Sequence, residues 1–200
     1  MAHRYDWFAI TGHRARSVLK MWPPGPGEHV LETGCGTGTL SIALKGAVGE
    51  RGSVDSIDAA AKMIEVAQRK ALKHGVSVRF QVAAIEKLPF ENETFDKAYA
   101  SLMTHHLPAD VKMGGFREVY RVLKPGGSFL IVDFGPPGNW FMKYLYYPVW
   151  FFEENLLSDL SAVEPHLKGK IPEMLREAGF VETRLLKKSL GILDYLLARK

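Results

Sequence analysis

The stretch LETGCGTGTL, Leu31 to Leu40, sets glycines at positions 34, 36 and 38 directly after an apolar run and before a helical pattern. A strand running into a Gly-rich turn and then a helix implies an α/β layout, with bare backbone at the turn for a bound group to approach. The rest of the chain repeats the alternation. Short apolar runs stand at His29–Thr33, Val54–Asp58, Val78–Ala83, Phe95–Met103 and Ser128–Phe134, with helical segments between them. The clearest helix is Ala59–His74, where Ala60, Met63, Ile64, Ala67 and Ala71 are spaced along one stripe. Glu65 and Arg69 form a supportive pair on its other face, and Gly75 is its stop. Phe116, Val119, Tyr120 and Leu123 mark a further helix, ended by Lys124-Pro125-Gly126-Gly127.

Apolar strands alternating with helices predict a parallel sheet covered on both faces. The end of the chain departs from this. After a short helix between Pro172 and Gly179, the runs VETRLLKKS and GILDYLLAR follow with too little chain between them for a crossover helix. They are expected to pair antiparallel. The predicted fold is therefore α/β and Rossmann-like: a seven-stranded, mostly parallel sheet with an antiparallel C-terminal hairpin and helices on both faces. One domain is expected over residues 1–200. The Pro/Gly break MWPPGPGEHV sets off residues 1–27 as an N-terminal arm.

Composition narrows the partners. The chain has 200 residues, 46% hydrophobic and 24% charged, as in ordinary soluble domains. The net charge of +4 and pI near 9.1 permit an anionic partner without demanding one. Basic residues are scattered rather than striped, so no nucleic-acid partner is expected. Cys35 is the single cysteine, which excludes an intramolecular disulfide and a cysteine-based metal cluster. No signal-peptide core or bilayer-length apolar run is visible, so a cytoplasmic protein is expected, with peripheral membrane contact left open. No metal-ligand spacing appears, and none is expected.

The turn itself chooses between cofactors. A dinucleotide fingerprint reads G-x-G-x-x-G. Gly34 and Gly36 match its first two glycines, but Thr39 occupies the third place and Gly38 comes one residue early. Glu32 stands two residues before the first glycine, where an acid would repel a pyrophosphate and attract an ammonium group. Both departures point from nicotinamide dinucleotides toward S-adenosylmethionine. A nicotinamide-dependent reductase and a noncatalytic cofactor-binding partner protein are the alternative readings.

On LETGCGTG, SIDAAAKMIEVAQRKA, LPFENETFDKAYASLMTHHL and REVYRVLKPGGSFLIVDF, in that order, the chain resembles the class I S-adenosylmethionine-dependent methyltransferases. It is most similar to the group that includes ubiquinone and menaquinone biosynthesis methyltransferases. The resemblance implies methyl transfer from S-adenosylmethionine to a small lipophilic acceptor, such as a quinone precursor or lipid. It implies that Gly34, Cys35, Gly36 and Gly38 carry the backbone around the methionine part, with Glu32 toward its ammonium. Asp58 would bind the ribose hydroxyls, with Ala59 beside it, or else cap the following helix. Met63 either packs on adenine or belongs to the core. Many relatives carry an acid at the position of Ala84, so here the backbone of Ala84 and Ile85 is left to read the base. Ser101 ends the fourth strand at the same site.

Chemistry is expected where the fourth and fifth strands end, at Ser101 to His106 and Asp133. His105 or His106 either takes a proton from the acceptor or only orients the loop. The fourth strand reads SLMT, which lacks the Asn/Asp-Pro-Pro-aromatic signature of enzymes methylating base amino groups. Within residues 136–170 lies an insertion in which eight of the thirteen residues from Trp140 to Phe152 are aromatic. It reads either as cover for the core or as a lid over an apolar substrate that dips into a membrane surface. Tyr5, Trp7 and Phe8 of the arm would close the site from the other side.

Overall fold

The computed structural model describes residues 10–138, 140 and 160–200. Their order is α1 (Ile10–Met21), β1 (His29–Thr33), α2 (Thr39–Val48), β2 (Ser53–Asp58), α3 (Ala61–Lys73), β3 (Arg79–Val82) and β4 (Phe95–Ser101). A 3₁₀ turn (Thr104–His106) follows, then α4 (Ala109–Val122), β5 (Leu123–Phe134), α5 (Leu160–Leu167), α6 (Ile171–Glu177), β6 (Glu182–Ser189) and β7 (Leu193–Arg199). The seven strands form one sheet in the order β3-β2-β1-β4-β5-β7-β6. The first five pair parallel, whereas β7 runs antiparallel to both β5 and β6. The strand order reverses between β1 and β4, so a crevice opens at their carboxyl ends.

The strands alternate because both faces are covered. Leu31, Ala98, Phe129, Ile131 and Leu196 join one buried cluster, against Phe116, Val119 and Val122 of α4 and Leu175 of α6. Their neighbours Val30, Tyr99, Leu130, Val132 and Leu197 join the other, against Ala15 and Val18 of α1 and Leu40 and Leu44 of α2. Successive side chains on a strand thus serve opposite layers. The outer strands are different: β3 and β6 are largely exposed along their length.

Three boundaries depart from the sequence reading. Residues 10–21 are not a detached arm, because α1 packs on α2 and puts Val18 fully into the core. Trp22 continues the attachment, its indole N–H donating to Ser128 and its carbonyl accepting from the Tyr99 hydroxyl. Second, β5 begins at Leu123 rather than Ser128. Phe95 pairs with Leu123 and Lys97 with Ser128, so Lys124–Gly127 bulges out of the ladder instead of ending it. Third, α3 starts at Ala61 and buries Ile64, Ala67 and Ala71, while Ala60 is exposed and Met63 is half-buried. The first two members of the apparent stripe therefore lie off the core face.

Leu44 is fully buried in the second cluster and Leu72 is 82% exposed on α3. Leu44→Ala is expected to lower unfolding stability by about 2–5 kcal/mol, and Leu72→Ala to change it by less than about 0.5 kcal/mol. Urea denaturation of the two variants checks the burial.

Candidate functional site

The Gly-rich turn is tied down from the neighbouring strand. Cys35 extends the β1 ladder by one residue, its N–H donating to the Ile57 carbonyl at 2.9 Å. Asp58, at the end of β2, accepts the Gly36 N–H on Oδ2 at 2.8 Å and the Ala60 N–H on Oδ1 at 2.9 Å. It thus links the turn to the approach of α3 rather than capping that helix itself. Each carboxylate oxygen keeps a second lone pair. Gly36 has φ +53 and, among the described residues, nothing within 4 Å of where a Cβ would stand, so bare backbone is open to approach there. Gly38, at φ +75, is glycine for a packing reason: a Cβ would stand 2.9 Å from the Ala67 side chain. Met103 lies over Gly34, within 2.7 Å of the same construction.

Beneath the turn, Glu32 is 2% exposed and accepts the Ser41 hydroxyl at 2.5 Å. Burial pushes its carboxyl up to about 8, against the pull of Ser41 and of the Arg14 guanidinium. Burial likewise pushes the Cys35 thiol well above its ordinary range, with Glu32 and Asp58 adding to the effect, so Cys35 is not a nucleophile. Ala59 is exposed and Ala84 half-buried, flanking the crevice on the β2 and β3 side. Ile85 is buried against Gly115 in the core, so only its backbone is available to a ligand. Ser101 carries a buried hydroxyl at the end of β4 that has no hydrogen-bond partner among the described residues.

A second polar group forms where β4 and β5 end. Leu102, at φ +50, turns the chain out of β4 and sends Thr104, His105 and His106 toward Asp133. Asp133 is 3% exposed. Its Oδ2 accepts the Thr104 N–H at 2.8 Å, the Thr104 hydroxyl at 2.6 Å and the His105 N–H at 3.2 Å. Its Oδ1 meets His105 Nδ1 at 2.6 Å and accepts the Phe134 N–H at 2.8 Å. Burial alone would raise this carboxyl, but His105 and the other donors outweigh it and hold Asp133 below the usual range. With Asp133 as the acceptor, Nδ1 of His105 carries the proton and Nε2 is the basic nitrogen. The exposed His106 ring lies 3.9 Å from that of His105, and desolvation followed by this neighbour depresses its pKa.

Three residues of this region carry no signal that the motifs above would register. Arg14 of α1 lies within electrostatic reach of both Asp133 and Glu32. His166 of α5 is 1% exposed, with Nε2 3.2 Å from the Thr104 hydroxyl and Nδ1 2.9 Å from the Phe134 carbonyl. Lys112 of α4 is wholly buried, donates to the Ala162 carbonyl at 2.7 Å, and is pushed down to about 8 by burial. Lys112 was findable: the apolar stripe Phe116, Val119, Leu123 runs back one turn onto a lysine. An apolar cavity of about 210 Å³ adjoins the group, walled by Ile131, Ile171, Leu185 and Leu196 together with Asp133 and His166.

A Gly-rich turn at the switch point of a 3-2-1-4-5-7-6 sheet, backed by an acid on β1 and another on β2, is the arrangement expected of a class I S-adenosylmethionine-dependent methyltransferase, and the similarities to known proteins support that class. A family profile described as a methyltransferase domain matches residues 30–127. Demethylmenaquinone methyltransferase of Alkalihalophilus pseudofirmus is 28% identical, with 94% of this chain and 88% of that protein covered. The ubiquinone/menaquinone biosynthesis C-methyltransferase UbiE of Geotalea daltonii is 28% identical over 74% of this chain and 65% of its own length. Among solved structures, a SAM-dependent methyltransferase from Aquifex aeolicus superposes with a TM-score of 0.75 at 22% identity, covering 99% of this chain and 96% of that one. S-adenosylmethionine is the cofactor.

The raised Glu32 carboxyl gives a signed prediction. Its folded pKa lies above the unfolded value of about 4.5, so the folded state keeps the proton that the unfolded state releases. Glu32 therefore lowers stability progressively as pH rises from about 4.5 to about 8. Glu32→Gln, which cannot ionise, is expected to gain stability relative to the natural protein across that window, by an amount on the order of a few kcal/mol. Denaturant unfolding at the two ends of the window, without cofactor, measures it.

Proposed function

We propose that the chain methylates a small lipophilic acceptor of the quinone-precursor type, with His105 as the base that takes the acceptor's proton. The observation that carries the catalytic part is the 2.6 Å contact between His105 Nδ1 and the buried Asp133 carboxylate. It holds the ring by one nitrogen and leaves the other basic. When bound, S-adenosylmethionine supplies an electrophilic methyl group on a sulfonium, so no further activation of the donor is asked of the protein. His105 Nε2 would accept the proton of an acceptor hydroxyl, and Asp133 would stabilise the imidazolium that results. His106, its ring tilted against that of His105 at 3.9 Å, limits the ring's movement.

The cofactor fits the turn on its own features. Open space over Gly36, the spare lone pairs of Asp58 and the orphaned Ser101 hydroxyl are the groups such a ligand would engage. In this reading the backbone of Gly34, Cys35 and Gly36 holds the methionine part, and Gly38 keeps α2 close to α3. Asp58 binds the ribose. Ala59, Met63 and the backbone of Ala84 and Ile85 border the base. Glu32 faces the ammonium group through the turn rather than by direct exposure, since it is buried. The lipophilic acceptor is supported by the quinone-methylating relatives and by the apolar cavity beside Asp133.

The aromatic insertion is proposed as the lid of this site and as its contact with a membrane surface. Most of it lies outside the described residues, as do Tyr5, Trp7 and Phe8, while Trp140 is 74% exposed. Among the described residues no helix is long and apolar enough to cross a membrane.

Calorimetry is expected to show binding of S-adenosylmethionine and none comparable of NADH; Asp58→Ala should weaken it by about tenfold or more. His105→Ala should lower methyl transfer to a demethylated quinol by about 10²–10⁴-fold with cofactor affinity retained. Full turnover in that variant would remove the base. The protein should sediment with anionic vesicles, and less so with Trp140, Phe141 and Trp150 changed to Ser. Unchanged sedimentation of that variant would end the membrane reading.

A further inference from the structure

The contacts around His166 set a counting problem in hydrogens. The Phe134 carbonyl only accepts, and an ionised Asp133 carboxylate only accepts. Between these two ends run three contacts in series: Phe134 O to His166 Nδ1 at 2.9 Å, His166 Nε2 to Thr104 Oγ1 at 3.2 Å, and Thr104 Oγ1 to Asp133 Oδ2 at 2.6 Å. Each contact requires one hydrogen. The threonine hydroxyl brings one and a neutral imidazole brings one. The chain is one hydrogen short.

Two arrangements supply it. In the first, His166 is an imidazolium that donates to Phe134 and to Thr104, and the Thr104 hydroxyl donates to ionised Asp133. In the second, Asp133 is protonated on Oδ2 and donates to Thr104, which donates to a neutral His166, which donates from Nδ1 to Phe134. The two differ only by a shift of two protons along the same chain, so both hold the same extra proton. We propose that the Asp133–Thr104–His166 chain holds one proton beyond ionised Asp133 and neutral His166 at neutral pH, and that His166 is thereby a positioning residue that sets the charge felt by His105.

The surroundings bear on this from every side. Burial pushes His166 down to about 4, with Asp133 pulling upward and Lys112 of α4 and His105 of the 3₁₀ turn pushing further down. The donors on Asp133 hold that group ionised, and Arg14 of α1 faces it as well. Asp194 of β7 shares the cavity wall with both. Taken singly, these effects would leave His166 neutral and Asp133 charged. Taken together they would set two buried lone pairs against each other in one of the three contacts, the costly alternative to a hydrogen bond. Hydrogen-bond continuity decides for the extra proton, and two such coupled groups titrate as one unit.

The consequence falls on His105, which shares Asp133 through its other oxygen. While the extra proton is present, the Asp133–His166 pair is neutral overall, so the carboxylate charge that His105 meets is balanced by that proton. Removing the proton exposes His105 to the full carboxylate charge. The proton count does not depend on the acceptor; only its use in catalysis rests on the proposed function.

Nitrogen NMR of histidine-labelled protein without cofactor, combined with infrared spectra, tests both parts. At neutral pH the natural protein should show either a doubly protonated His166 ring or a neutral one alongside a carboxylic-acid stretch that disappears in Asp133→Asn. Thr104→Val should lose the extra proton and raise the pKa of His105 by about one unit, whereas Thr104→Ser should keep both at their natural values. A neutral His166 beside an ionised Asp133 in the natural protein overturns the proton count. An unmoved His105 in Thr104→Val, with the fold verified by circular dichroism, overturns the positioning role. Neither readout requires turnover, so failure of the methyl-transfer reading is seen separately.

Discussion

The buried carboxylate of Asp133 is the group on which the catalytic end of the molecule depends. An unpaired charge at 3% exposure would cost several kcal/mol of desolvation. Here three backbone N–H groups, a hydroxyl and an imidazole converge on two oxygens. Those partners come from the 3₁₀ turn and from the end of β5, and the hydroxyl passes the connection on to α5. A single acid thus determines how the chain leaves β4, where the His105 ring stands and what α5 docks against. The left-handed Leu102 conformation is the local strain that this convergence offsets.

The cofactor end is built on the same principle with a different acid. Asp58 satisfies Gly36 and Ala60 through one lone pair on each oxygen and keeps the others for a ligand. Burial holds the carboxyl of Glu32, sealed under the turn, well above its ordinary range, and an incoming ammonium group favours its ionised form. Arg14 lies within reach of both acid centres, so α1 contributes charge to the site as well as apolar surface to the core.

Much of this was legible in the sequence, and what was not has a common cause. Short apolar runs between helical patterns, Gly-rich punctuation and the short link between the last two runs were enough for the seven strands and the antiparallel end, because each is a local pattern. The turn glycines and Asp58 are also local, and their roles come from the resemblance rather than from spacing, while the His105–His106 pair is placed at the strand end without a choice between the two rings. The Asp133–His105 pairing joins residues from two strands' ends, and His166 arrives from an aromatic insertion with no periodicity to place its helix. Arg14 sat in a segment read as an arm because residues 21–30 look like a linker, although Trp22 fastens them to the sheet. Tertiary contacts of this kind leave no mark in a window of a dozen residues. Met63 fits the stripe by spacing, yet it is only half-buried on α3, which starts at Ala61.

The placement of β7 between β5 and β6 has a consequence for how the chain is made. Ser128 pairs with Arg199 and Phe134 with Leu193, so the central strand acquires its second neighbour only from residues far along the chain. During synthesis the β1–β5 portion can assemble first, with local parallel crossovers, while one side of β5 presents a row of unpaired N–H and C=O groups. Those groups belong to a strand whose side chains from Ser128 to Asp133 are all interior. The nascent chain is thus most open to wrong pairing with another copy in the interval before β7 emerges. Closure of that edge joins residues far apart in sequence, a high-contact-order event.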